Sequence, residues 1–277
     1  MKIAINRLFV GYKPASMSSN RYLSKIKRTY QPKKAGFSGT LDPFAKGVLI
    51  IAFGQYTKLF RFLKKSPKSY RATLWLGAHS DTLDIEKVDL IKEIPHIPHE
   101  KIIQTLNSLK GKIDYLPPKY SAKKINGERA YKLARNDEEI NLKKITSTIS
   151  KIELIHYNHP FLTFEITISE GGYIRSMGDI IANKLGTFGS LSALERLHEG
   201  ELFYNKEIAL DPIKYLNVKQ NYYLSDHDDI LLGKKVYIEN FQIKEEGEYF
   251  LKIGTILSII KIEDSKVTYI LNGVKLC

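Results

Sequence analysis

The residues with the clearest capacity for chemistry lie between Lys34 and Leu49, in the segment KAGFSGTLDPFAKGVL. Asp42 stands there as the single acid of residues 1–80, among 16 Lys and Arg. Two glycines and a Ser-Gly-Thr run precede it, and Pro43 follows. Glycine lets the backbone come close to a ligand, and proline fixes the exit from the loop. A carboxylate presented this way, beside a strand able to hold it rigid, can act as nucleophile or general base. A strongly positive field favours its ionised form. The same carboxylate repels a phosphate backbone, so a surface that only bound RNA has no use for it. The competing role is structural, because Asp-Pro is a common turn opener and a carboxylate can cap a helix or join a salt bridge.

Other chemistry finds less support. Cys277 is the single cysteine, so an intrachain disulfide, a Cys-based metal cluster and a Cys-ligated iron–sulfur site are excluded, and a reducing, cytoplasmic location is expected. His96 with His99, and His156 with His159, are spaced three apart, but a zinc site needs further ligands, and solvated or capping roles are expected. A phosphate-loop or dinucleotide fingerprint is missing. No cofactor, metal or obligate protein partner is expected.

The elements that must position Asp42 follow from pattern and punctuation. Ile3 to Tyr12 reads as a strand, broken at Lys13-Pro14, and Ser18-Ser19 can cap a basic helix over Asn20 to Arg28. Gln31 to Gly47 reads as a loop, Val48 to Phe53 as a buried strand, and Thr57 to Leu63 as a short helix. Tyr70 to Leu76 is β-rich. Residues 80–100 read as an irregular connection, and Lys101 to Leu109 as a helix. A basic stretch from Gly111 opens on Pro117-Pro118 and is expected to close in a helix over Glu128 to Arg135. Phe161 to Ser169 alternates as a half-buried strand does, and Gly171-Gly172 leads into an apolar-periodic helix from Ile174 to Leu185. Ser190 to Leu197 reads as a further short helix. After about residue 212, short segments rich in Ile, Val and Tyr alternate with Gly, Asn and Asp, which predicts a small all-β unit. The best apolar run, Gly47 to Gly54, is far too short to cross a membrane, and Asn6 and Arg7 interrupt any signal-peptide core.

Charge sharpens the choice of partner. The chain has 277 residues, 43 Lys and Arg, 30 Asp and Glu, and a formal net charge of +13. The excess belongs to residues 1–80; residues 201–277 hold 10 Lys against 12 acids. So uneven a positive balance favours a polyanion, most simply nucleic acid.

Several segments, in order, resemble the TruB-type tRNA pseudouridine synthases, which isomerise the uridine at position 55 in the tRNA T-loop. GTLDPFAKGVL is similar to that family's catalytic motif, and Tyr12-Lys13-Pro14 with Ser18-Ser19 to its N-terminal Lys-Pro motif. Lys68-Ser69-Tyr70, the segment PPKYSAKKINGERAYKLAR (117–135), EGGYIR (170–175) and LERL (194–197) resemble further family segments. The resemblance covers about residues 3–205. It implies Asp42 as nucleophile, Arg175 as its ionic partner, and Tyr70 as a third catalytic residue that stacks on an everted base. It implies Phe37, Tyr173 and Leu194 as further substrate-binding residues. It implies phosphate contacts from Lys119, Lys123, Lys124, Arg129, Lys132 and Arg135. The partner implied is the T-arm of tRNA. Three departures stand out: Phe37 where the family usually carries His, Tyr12 where Asp commonly precedes Lys-Pro, and Ser16 where Gly is common.

The expected architecture is α+β: a mixed, mainly antiparallel sheet with flanking helices and a basic insertion at about 111–145, in a catalytic domain of residues 1–212. A small, shortened or divergent PUA-like β domain of residues 213–277 follows. The expected reaction breaks N1–C1′, turns the base and joins C5 to C1′. Attack by the carboxylate on the ribose carbon, glycal formation and addition to the ring all remain open. Rival readings are an RNA-binding, tRNA-folding protein on the same scaffold, a pseudouridine synthase for another RNA, and a generic basic enzyme with an acidic substrate. Basic patches do not separate RNA targets, because phosphate contacts carry no sequence information.

Overall fold

Segments rich in Val, Ile and aromatic residues recur along the chain, and among the described residues strands outnumber helices accordingly. The computed structural model describes residues 6–120, 124–125, 128–129 and 142–277, the two short pairs by their backbone. In chain order the strands begin with β1 (Arg7–Lys13), β2 (Ala35–Ser38), β3 (Lys46–Phe53), β4 (Lys68–Leu76), β5 (Ala78–His79) and β6 (Leu90–Ile91). Next come β7 (Gly111–Tyr115), β8 (Lys124–Ile125), β9 (Glu128–Arg129), β10 (Ile145–Asn158), β11 (Phe161–Ile168), β12 (Gly189–Glu199) and β13 (Leu202–Phe203). The last four are β14 (Lys219–Gln220), β15 (Gly247–Ile253), β16 (Ile256–Glu263) and β17 (Lys266–Lys275). The α-helices among the described residues are α1 (Ser19–Tyr30), α2 (His99–Asn107), α3 (Ile174–Lys184) and the short α4 (His227–Leu231).

The main sheet runs β1-β3-β12-β4-β11-β10-β7, with β2 on β3 and β13 on β12. Its pairs are antiparallel except β3 with β12, which meet in parallel at Lys46–Glu195 and Gly47–Arg196. The fold is therefore the mixed, mainly antiparallel sheet expected, with few helices and a separate β14-β15-β16-β17 sheet towards residue 277. Helices α2 and α3 cover one face over a core that includes Leu74, Phe164, Ile166, Met177, Ile181 and Leu191. Beyond β12, α1 covers Phe9, Leu49, Ile51 and Phe53. The opposite side of β1 and β3 (Leu8, Val10, Val48, Ile50) packs against Phe250, Leu257, Ile259 and Val274 of the second sheet. Both faces of β3 are thus buried, which is why its sequence is an unbroken apolar run. The two sheets are also sewn together by polar contacts. Asn6 donates to the Lys275 carbonyl at 2.6 Å, Gln55 donates to the Gly273 carbonyl at 3.0 Å and accepts from the Lys275 amide, and the Cys277 amide donates to the Tyr56 hydroxyl.

Three local expectations change. Ser190 to Leu197 lies in a strand, not a helix: β12 pairs with β4 along its length, and that pairing decides a pattern either element could carry. Residues 35–38 of the expected loop form β2, which continues the edge of β3 beyond β12. In the basic insertion, Glu128 and Arg129 form β9 against β8 instead of opening a helix. Residues 130–141, including Lys132 and Arg135, lie outside the described residues, as does Lys123.

Candidate active site

Asp42 stands in the turn from β2 to β3, and its position is fixed by its neighbours. Leu41, Phe44 and Ala45 are buried around it. The Ser19 hydroxyl donates to the Leu41 carbonyl at 3.1 Å and accepts from its amide at 3.0 Å. The Lys13 ammonium, fully buried at the end of β1, donates to the carbonyls of Ala45 at 2.5 Å, Met17 at 2.6 Å and Pro14 at 2.8 Å, and more distantly to Pro43. Burial lowers Lys13 to about 8; Asp42 opposes that shift and Arg196 adds to it. Upstream, Arg196 of β12 donates to the carbonyls of Gly39 and Val48 at 2.9 and 2.8 Å. Gly39 has φ +72 and Gly47 φ +116; a Cβ on Gly47 would overlap the Arg196 backbone. Only glycine permits β3 and β12 to meet there.

Arg175, in the first turn of α3, reaches the same place from the other wall. Its Nε lies 2.9 Å from Asp42 Oδ2, with the arginine side chain 5% exposed and the aspartate 35% exposed. Asp42 is therefore held from behind and accessible in front. Its contact with the guanidinium has the length of a charge-assisted hydrogen bond. The other two guanidinium nitrogens also donate: Nη1 to the Thr82 carbonyl at 2.7 Å, and Nη2 to the Tyr120 carbonyl at 2.8 Å. A second carboxylate, Asp84, lies 3.5 Å from Nη1. Asp84 accepts from the Thr82 hydroxyl at 2.6 Å and the Glu86 amide at 2.9 Å, and burial raises its pKa. A cation near a helix N-terminus is electrostatically disfavoured, and here two carboxylates offset that cost.

A cavity of about 340 Å³ opens at this pair, lined by residues that include Asp42, Tyr70, Tyr173, Arg175 and Leu194. Tyr70 and Arg196 are cross-strand partners on β4 and β12, as are Ala72 and Leu194, so the sheet sets the Tyr70 ring and the leucine on one floor, while Tyr173 comes from the residue that caps α3. Beneath, Glu199 is fully buried between Lys68 at 2.9 Å and Arg196 at 3.0 Å.

The structure thus brings together Asp42, Arg175, Tyr70, Tyr173 and Leu194. Phe37 is placed elsewhere: it is on β2 opposite Ile51, packed toward the cluster under α1, and is not among the cavity-lining residues described. Lys119 is exposed, one residue before the Tyr120 carbonyl that receives Arg175. Lys124 and Arg129 fall on β8 and β9. Sequence reasoning missed Asp84, Lys13 and Arg196 as parts of the site. Asp84 sits in a polar stretch with no periodic signal, and Arg196 in a segment read as a helix. Lys13 is the one whose signal was available, in a Lys-Pro step that ends an apolar strand.

The histidines do other work. His96, His99 and His159 gather round the buried Tyr157, whose hydroxyl lies 2.8 Å from His159 Nδ1. Among the described residues no group of three or more His, Cys, Asp or Glu could hold a metal ion, and no helix is long and apolar enough to cross a membrane.

Against known proteins, a model described as TruB family pseudouridylate synthase (N terminal domain) matches residues 27–174. The chain is 53% identical over 270 residues to the tRNA pseudouridine synthase B of a Nitratiruptor species, covering 98% of each chain. It is 54% identical over 272 residues to the protein of that name from Sulfurimonas denitrificans, covering 98% of this chain and 100% of the other. Among solved structures, a chain of a Cbf5-Nop10-Gar1 complex is similar with a TM-score of 0.69 and 18% identity, covering 98% of this chain and 84% of that one; at that identity the likeness is one of fold.

Proposed function

The chain belongs to the TruB family of pseudouridylate synthases, and from that premise we propose how its cavity works. The protein is an isomerase that converts a uridine of tRNA to pseudouridine. Its target is the T-loop uridine at position 55, in the cytoplasm. The target base leaves the stack and enters the cavity; extrusion costs a few kcal/mol and least in an already distorted loop. Stacking on Tyr70, with Tyr173 and Leu194 completing the pocket, returns about 1–3 kcal/mol.

Asp42 is the nucleophile. Arg175 holds Oδ2, so Oδ1 is the oxygen presented to the nucleotide. In the overall reaction the N1–C1′ bond breaks, the C5–C1′ bond forms, C5 gives up its proton and N1 takes one up. Arg175 keeps the carboxylate aimed through a charge-assisted hydrogen bond. The observation that carries the assignment is the Asp42–Arg175 pair at the edge of a tyrosine-walled cavity. Lys119, with Lys123, Lys124, Arg129, Lys132 and Arg135 of the insertion, would contact phosphates, and Phe37 would meet the RNA outside the cavity. A catalytic unit of residues 1–212 and a PUA-like unit of 213–277 suit this reading. Support for the division comes from a cluster built from Tyr223, Ile230, Val236, Phe241, Tyr249 and Ile260, all within the second unit.

The test is tritium release from RNA labelled at uridine C5, comparing a T-arm stem-loop, whole tRNA and a tRNA with that uridine replaced by cytidine. Release from the first two alone is expected. Asp42→Asn should abolish release while leaving tRNA binding largely intact; turnover by that variant would overturn the nucleophile assignment.

A further inference from the structure

Beside the catalytic pair lies a second charged group that the proposed chemistry leaves unused. Glu170 Oε1, on the turn between β11 and α3, sits 3.5 Å from Lys65 Nζ and 3.9 Å from Lys68 Nζ. The lysines are set: their side chains are 14% and 9% exposed, Lys65 donates to the Ser38 hydroxyl at 3.2 Å, and Lys68 is locked to Glu199. Glu170 is not, with 52% of its side chain exposed. Charge is also out of balance, because Glu199 answers both Lys68 and Arg196, which leaves Glu170 as the counter-charge of Lys65. The location is telling. Lys68, Gly171 and Gly172 line the cavity, and Ser38 precedes the loop that carries Asp42.

We infer that Lys65 and Lys68 form a subsite for a backbone phosphodiester flanking the target nucleotide, and that Glu170 fills this subsite until the RNA displaces it. A nucleotide turned into the cavity carries its flanking phosphates to the rim, because its backbone is continuous. Two ammonium groups within reach of one carboxylate oxygen are equally within reach of phosphate oxygens. An exposed carboxylate gives up such a contact at little cost, whereas the lysines are already in place. Glu170 is then an internal competitor of the substrate, and it sets affinity, not chemistry. This inference rests on the proposed function, since it takes the cavity to receive a nucleotide.

Binding is measured in the Asp42→Asn background, which separates it from turnover, with a T-arm stem-loop as probe. Glu170→Gln should tighten binding by roughly 3–10-fold, as expected when one carboxylate no longer opposes a phosphate at low salt. Lys65→Met should weaken binding and lower the salt slope by about one. In the double variant the gain from Glu170→Gln should disappear. A neutral methylphosphonate linkage at one side of the target uridine should also cancel that gain. Unchanged or weaker binding by Glu170→Gln overturns the subsite, as does a gain that survives neutral linkages on both sides. Melting temperatures of the two single variants check that the fold is intact. Tritium release by the unaltered chain separates the two readings. If release is absent, the functional reading falls; if release occurs while Glu170→Gln binds no tighter, the subsite alone falls.

Discussion

Arg175 is where both walls of the cavity converge, and its planar guanidinium reaches partners in several directions at once. It holds Asp42, faces Asp84 and ties down the Thr82 and Tyr120 carbonyls. A lysine has no planar fork and can satisfy only part of that set. With Asp42 as the proposed nucleophile, Arg175→Lys should therefore cut single-turnover tritium release by roughly 100-fold or more, with tRNA affinity changed by less than about 3-fold. An equal fall in both would recast Arg175 as a phosphate anchor. Lys13 makes a prediction about pH. Its folded value of about 8 lies below the usual 10.5, so between those values the unfolded chain holds more protons, and stability should rise with pH. Over the same range the neutral amine has one donor fewer for the carbonyls beside Asp42, so activity should fall. Chemical denaturation and initial rates from about pH 7 to about pH 10 would show the opposed trends, and Lys13→Met should remove the stability slope.

At the level of elements, the site depends on how closely β3, β12 and β4 are laid together. Gly47→Ala would force β12 off β3, and a loss of about 3 kcal/mol or more is expected by denaturant titration, as for other strained backbone replacements. Glu199→Gln leaves two buried cations sharing no carboxylate from that position, and should cost about 3–5 kcal/mol. These elements were unequally readable beforehand. The apolar run Val48–Phe53 and the alternation of Phe161–Ile168 each announce a strand, because burial on two faces or one leaves a direct mark on the sequence. LERL does not: Leu194 and Arg196 line the cavity only because β4 and β12 pair in that register. Asp42, with its glycines and proline, was legible as a carboxylate presented on a shaped loop, and the structure sets it at the cavity. Asp84 was not, since its role comes from a fold-back in which the Leu191 amide donates to the Leu83 carbonyl, a non-local relation with no periodic trace.

At the scale of the whole molecule, charge and core are divided differently. The positive excess lies in residues 1–80, whereas the cluster beneath β1 and β3 is completed from beyond residue 249. If six or more phosphates are engaged, tRNA affinity should fall by roughly 1,000-fold between about 50 and about 200 mM salt. A flat response would remove the electrostatic argument for RNA. A chain stopped after residue 212 should bind a hydrophobic dye and aggregate, because Leu8, Val10, Val48 and Ile50 lose their cover; a monomeric, dye-silent product would show that the first sheet stands alone. The stitches from Asn6, Gln55 and Tyr56 to residues 273–277 impose an order in time. During translation β17 emerges roughly two hundred residues after β3, and such distant pairings close late. A nascent chain that has already built its aspartate loop therefore carries an uncovered oily back until residues 250–274 have emerged.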